Sequence, residues 1–85
     1  MNWLIVVVFA TMAGDVYIFT DPKFETREEC IASVKDIEDQ KRYVQKLVFE
    51  YGRLMPIRGI NCLTEDKINE ILETYKGEVK KGDEA

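Results

Sequence analysis

Histidine is absent from the 85 residues. That removes the commonest general base, the commonest zinc ligand and the ordinary pH switch of proteins. Cysteine occurs only twice, so a standard four-ligand zinc site cannot form within one chain. The two cysteines, Cys30 and Cys62, stand 32 positions apart, which excludes a Cys-x-x-Cys redox motif. Cationic residues are in the minority: 12 Lys and Arg face 16 Asp and Glu, for a net charge of −4. That balance favours solubility and argues against general affinity for nucleic acid, which rests on neutralising phosphates. The N-terminal uncharged run is broken at Asp15, too early for a membrane-spanning helix of about 20 residues. Internal repeats, linkers and low-complexity segments are also missing, and no cofactor or small-molecule substrate is expected.

What is present is a normal globular complement, 46% hydrophobic and 33% charged. A chain of this size buries only about 60–65% of the surface its unfolded form exposes, so its core is marginal without a staple or a partner. The pattern predicts one compact domain over residues 1–77 and a polar, frayed tail over residues 78–85.

Trp3–Met12 is β-branched and aromatic and reads as a strand, followed by a second over Asp15–Thr20. Gly14-Asp15 suits the centre of a two-residue type II′ turn. That register pairs Met12 with Tyr17, Thr11 with Ile18, Ala10 with Phe19 and Phe9 with Thr20. Both faces of the first strand are then apolar, as in a strand at the middle of a sheet. The competing reading makes residues 1–13 a signal peptide, with Thr11-Met12-Ala13 as its cleavage site. No Lys or Arg precedes the apolar run, which favours the strand.

Asp21-Pro22-Lys23-Phe24 reads as a turn. Thr26-Arg27-Glu28-Glu29 is a capping box opening a helix. Its apolar stripe, Cys30, Ile31, Val34 and Ile37, resumes at Val44, Leu47, Val48 and Tyr51. One helix over 27–51 or two with a break near Asp36–Asp39 both fit, and Gly52 is placed to end the run. Ile57–Leu63 reads as a third strand with Ile60, Cys62 and Arg58 on one side, and Gly59 marks a bulge or a close backbone approach. Thr64 caps the last helix, Leu63 is placed to staple against Ile68, and Ile68, Ile71, Leu72 and Tyr75 form its buried stripe up to Gly77.

The predicted fold is α+β: a three-stranded antiparallel sheet, the N-terminal hairpin plus a later strand, in the order 2-1-3, with two or three helices packed on one face. Cys30 and Cys62 then face the helix–sheet interface. A disulfide there would add about 3–4 kcal/mol. It needs α-carbons within about 7 Å. A reduced, buried pair is the alternative.

Phe24-x-Thr26-x-x-x-Cys30, an apolar hairpin containing Trp3 before it, and a strand ending in Cys62-Leu-Thr-Glu-Asp after it resemble small uncharacterised proteins of marine tailed phages, especially those of cyanobacteria. The resemblance spans about residues 3–67. It implies a viral or marine metagenomic origin and an accessory protein acting in the host cytoplasm or packed in a virion. It implies no activity and carries over no functional residue. The charged middle, Lys35–Lys46, has no counterpart in it.

The carboxylates Glu28, Glu29, Asp36, Glu38 and Asp39 read as a solvated helix face with a cap rather than as an acid/base pair. Lys35, Lys41, Arg42, Lys46, Arg53 and Arg58, interleaved with Tyr43 and Tyr51, would suit a base-stacking strip. The competing reading is a set of helix salt bridges, such as Glu38 with Arg42. Gly14, Gly52 and Gly59 punctuate turns and caps and form no phosphate-binding loop.

The expected function is therefore that of a small non-enzymatic accessory protein acting through protein–protein contacts. This reading rests on the surplus apolar surface of the first strand, left open with helices on one sheet face only, and on the exposed edge that a three-stranded sheet must leave. Leu4, Val6, Val7, Phe9 and Ile18 are the candidate interface, with a second copy or a host or phage protein as partner. The alternative is an exported, disulfide-stabilised binder or inhibitor lacking residues 1–13.

Overall fold

The computed structural model describes residues 2–11, 14–75 and 79–81. In chain order these form β1 (Trp3–Phe9), β2 (Val16–Phe24), α1 (Arg27–Lys35), α2 (Ile37–Tyr51), β3 (Ile57–Thr64), α3 (Glu65–Thr74) and β4 (Val79–Lys81). The fold is α+β, with a four-stranded mixed sheet in the order β3-β1-β2-β4. The expected 2-1-3 arrangement is there: β1 lies between β2 and β3 and runs antiparallel to both. The fourth strand was not expected. Val79–Lys81 pairs parallel with Val16–Ile18 of β2, so this part of the polar tail belongs to the sheet.

The hairpin register differs from the expected one. Tyr17 pairs with Val7, Ile18 with Val6 and Phe19 with Ile5, and Phe9 N–H donates to Asp15 O at 2.9 Å. The connection is longer than two residues because Thr11 closes it. Its carbonyl accepts from Gly14 N–H at 3.1 Å, and its hydroxyl accepts from Asp15 N–H at 3.1 Å. The expected pairs of Ala10 and Thr11 with β2 do not form, and Met12 lies outside the described residues. Gly14 does adopt the positive φ, 68°, that the sequence required, and a Cβ there would stand 3.0 Å from the Tyr75 hydroxyl.

A shift of register by an odd number of residues moves side chains to the opposite face. In the observed register Ile5, Val7, Phe9, Tyr17 and Phe19 share one face, packed under α1 and α2 with Cys30, Leu47 and Met55. Leu4, Val6, Val16 and Ile18 share the other face, packed against Ile68 and Leu72 of α3. The sheet is thus covered on both sides, which corrects the expectation of helices on one face. Handedness supplies the reason. The connection from β2 to β3 crosses the sheet in one direction, and the connection from β3 to β4 crosses back. Parallel strands are joined by right-handed crossovers almost without exception, so two crossovers in opposite directions place their helices on opposite faces.

The Asp21–Phe24 turn is also corrected. These residues stay in β2 as an irregularity, with a cis Asp21–Pro22 bond, and pairing resumes at Phe24 with Trp3. A proline, having no N–H to donate, is tolerated in a strand at such a bulge.

The helical region is two helices. Asp36 caps the second, accepting from Glu38 N–H at 3.1 Å, and Gly52 ends it at φ 75°. Thr26 and Thr64 cap α1 and α3 by accepting from Glu29 and Lys67 N–H. The last helix ends at Thr74 with Tyr75 as its cap, ahead of Gly77, which lies outside the described residues.

Candidate docking surface

The five candidate interface residues are not at the surface. Leu4, Val6, Val7, Phe9 and Ile18 are all buried, none more than 6% exposed. The interface expectation is corrected for a simple reason. α3 covers Leu4, Val6 and Ile18, while α1 and α2 cover Val7 and Phe9.

The cysteines form a disulfide. Their α-carbons lie 6.1 Å apart, and the bond ties the first turn of α1 to β3. Val34 of α1 faces the same groove as Ile60 of β3, and Arg27 the same groove as Leu63. α1 therefore lies alongside β3 and runs against it.

The charged groups of α2 are mostly committed to one another. Arg42 pairs with Asp39 rather than with Glu38, while Lys41 reaches Glu38 at 4.0 Å and Lys46 reaches Glu50 at 3.4 Å. The tyrosines expected to stack on bases are used in packing. Tyr43 tilts against Phe19 with ring centroids 5.1 Å apart, and Tyr51 meets Phe9 edge-on at 5.1 Å. The Tyr43 hydroxyl bonds to Ser33, whose own hydroxyl donates to Asp39 at 2.8 Å. Burial, ahead of the nearby Asp39 and Asp36 charges, pushes the Tyr43 pKa up, so it stays a neutral phenol. Arg42, Lys46 and Tyr43 do line an open cleft of about 380 Å³ beside Pro22, but both cations already hold carboxylate partners.

Among the described residues no group of three or more Cys, Asp or Glu gathers as a metal site, and no helix is long and apolar enough to cross a membrane.

What is open is the outer edge of β3. Among the described residues this strand ends the sheet, and no neighbouring strand meets its outward N–H and C=O groups over Ile57–Thr64. A bulge opposite Val8–Phe9 sets Ile57 against Phe9 and Ile60 against Val7. Of the two readings of Gly59, the bulge is the one found: the register skips Arg58 beside it, and this corrects the expected facing. Ile57, rather than Arg58, joins Ile60 on the α2 side. Ile57 and Ile60 are 38% and 42% exposed and line an apolar groove of about 300 Å³ with Val34 and Val44. A second groove, about 450 Å³, continues along α1 past Ile31 and Cys62, between Arg27 and Lys35. Sequence reasoning anticipated an exposed sheet edge but did not name these residues as a site, although the strand order 2-1-3 already made the third strand an edge. No family model matches this chain, and neither a curated protein nor a solved structure was found to be similar to it.

Proposed function

We propose that the protein is a non-enzymatic accessory factor that binds another protein at the outer edge of β3. The observation that carries this reading is the coincidence of an eight-residue unpaired strand edge with an apolar groove beside it. Unpaired edges recruit extended segments through main-chain hydrogen bonds, and adjacent pockets supply side-chain selectivity. A phage accessory role in a host cytoplasm or virion belongs to the same reading and rests on the residue resemblance around Phe24, Thr26, Cys30 and Cys62. The test is a pair of captures from a host lysate, with the wild type and with Ile60→Lys. Ile60 is exposed enough to accept the charge, so the melting temperature should hold while a specific partner is lost. Identical captures from the two proteins would overturn the proposal.

The disulfide favours a second reading, an exported binder, because such bonds persist mainly in oxidising compartments. Removal of residues 1–13 would delete β1, the centre of the sheet, so an exported form is expected to keep that strand. Intact mass under thiol-blocking conditions separates the two. An uncleaved chain with two blocked thiols supports the cytoplasmic reading, and an oxidised chain supports export.

A further inference from the structure

The groove that α1 makes with the β3 edge has a distinctive charge arrangement. Arg27 and Lys35 stand at its two ends, and Ile31 and Val34 lie between them. Neither cation has an ion-pair partner among the described residues. Arg27 sits in the first turn of α1, where the helix dipole disfavours a cation and favours an anion. The protein as a whole is acidic, so this basic pair is a local feature.

On the reading that β3 docks a protein segment, we propose that the segment is an acidic one. It adds as an extended strand to the outer edge of β3 and places two carboxylates against Arg27 and Lys35. The spacing fits. Eight helical residues separate the two cations by about 12 Å. Carboxylates four positions apart on one face of a strand are separated by about 13 Å. The residue midway between them faces the same way, onto Ile31 and Val34, and should be apolar. The recognition pattern is acidic-x-apolar-x-acidic. A second copy of this chain is a poor occupant, because its own β3, Ile57–Thr64, carries Arg58 and no carboxylate.

The test uses the oxidised full chain, ¹⁵N-labelled, and the peptide acetyl-Ser-Glu-Thr-Val-Thr-Glu-Ser-amide, with a control in which both Glu are Gln. The acidic probe should shift amides of β3 and α1 and bind at least about tenfold more tightly than the control, as expected for two charge-assisted contacts. Arg27→Gln with Lys35→Gln, both exposed positions, should abolish that preference while leaving the melting temperature nearly unchanged. Equal binding of both peptides at β3 would overturn the acidic specificity and leave edge docking standing. Absence of β3 shifts with either peptide would overturn both. Shifts at β3 that depend on protein concentration alone would assign the edge to a second copy and overturn the proposal.

Discussion

Glu50 shows how one side chain can connect distant parts of the chain. Its carboxylate lies 3.4 Å from Lys46 on its own helix and 3.3 Å from Lys80 of β4, and the Tyr17 hydroxyl donates to it at 3.5 Å. Lys80 also donates to the Glu50 carbonyl at 2.9 Å and stands 5.1 Å over the Tyr51 ring. Burial pushes the carboxyl upward, but the hydrogen bonds and charges of Lys80 and Lys46 outweigh it, leaving its pKa below the ordinary 4.5. A carboxylate whose folded pKa is depressed adds stability that is present above its unfolded pKa and lost as pH falls through the folded one. Stability should therefore decline below about pH 4.5. Glu50→Gln should be less stable at neutral pH and have a shallower acid limb, measured by urea unfolding across the acid range. An unchanged limb would remove Glu50 from the acid response. Part of the limb should survive through Glu65, held low by the Asn2 side-chain amide and Lys23.

At the scale of elements, the break between α1 and α2 comes from competition for hydrogen bonds. Asp36 N–H turns back to Ser33 O at 3.2 Å, and the Gln40 side chain donates to Val34 O at 2.8 Å. The bond chain from Tyr43 through Ser33 to Asp39 then holds the two helices together across the break. A break near Asp36–Asp39 fits the sequence, but an Asp in the middle of an amphipathic stripe fits a solvated face equally well. The caps were more legible, because Thr26, Thr64 and Gly52 act through bonds within a few residues of themselves. β1 behaves differently. Its side chains are buried on both faces, so a charge introduced there has no route to water. Val7→Lys should cost about 4 kcal/mol or more, from a buried and unpaired charge. Circular dichroism and urea unfolding would show a lost or strongly weakened fold. A stable variant that differs only in solution mass would instead restore an outward-facing β1.

The whole molecule is a three-layer arrangement, with α1 and α2 above the sheet and α3 below, closed by one covalent link. The disulfide closes a loop of 32 residues containing most of α1 and all of α2. Constraining a loop of that length in the unfolded chain contributes about 4 kcal/mol on the chain-entropy estimate. That is a large part of the roughly 5–15 kcal/mol typical of a domain. Cys30→Ser with Cys62→Ser should lower the urea midpoint accordingly and loosen α1 from β3 before the sheet melts, visible as faster amide exchange in α1 than in β1. Uniform exchange in all elements would mean that the link adds stability without holding α1 in particular.

Local chemistry in the sequence determined the helix caps, the positive φ at Gly14, the bulge beside Gly59, the order of the three antiparallel strands and the approach of Cys30 to Cys62. Each depends on neighbours close in sequence or on one strongly apolar strand seeking the centre of the sheet. Tertiary structure alone decided the hairpin register, the retention of Asp21–Phe24 in β2, the pairing of Val79–Lys81 and the side that α3 covers. These depend on each other. Three residues of mixed polarity carry too weak a pattern to mark a strand. Without β4 there is no return crossover, and without that crossover nothing in the sequence sends α3 to the opposite face. Once α3 lies there, the apolar surface of β1 is consumed within the chain, and the sheet's open apolar residues are those at the edge of β3, Ile57 and Ile60.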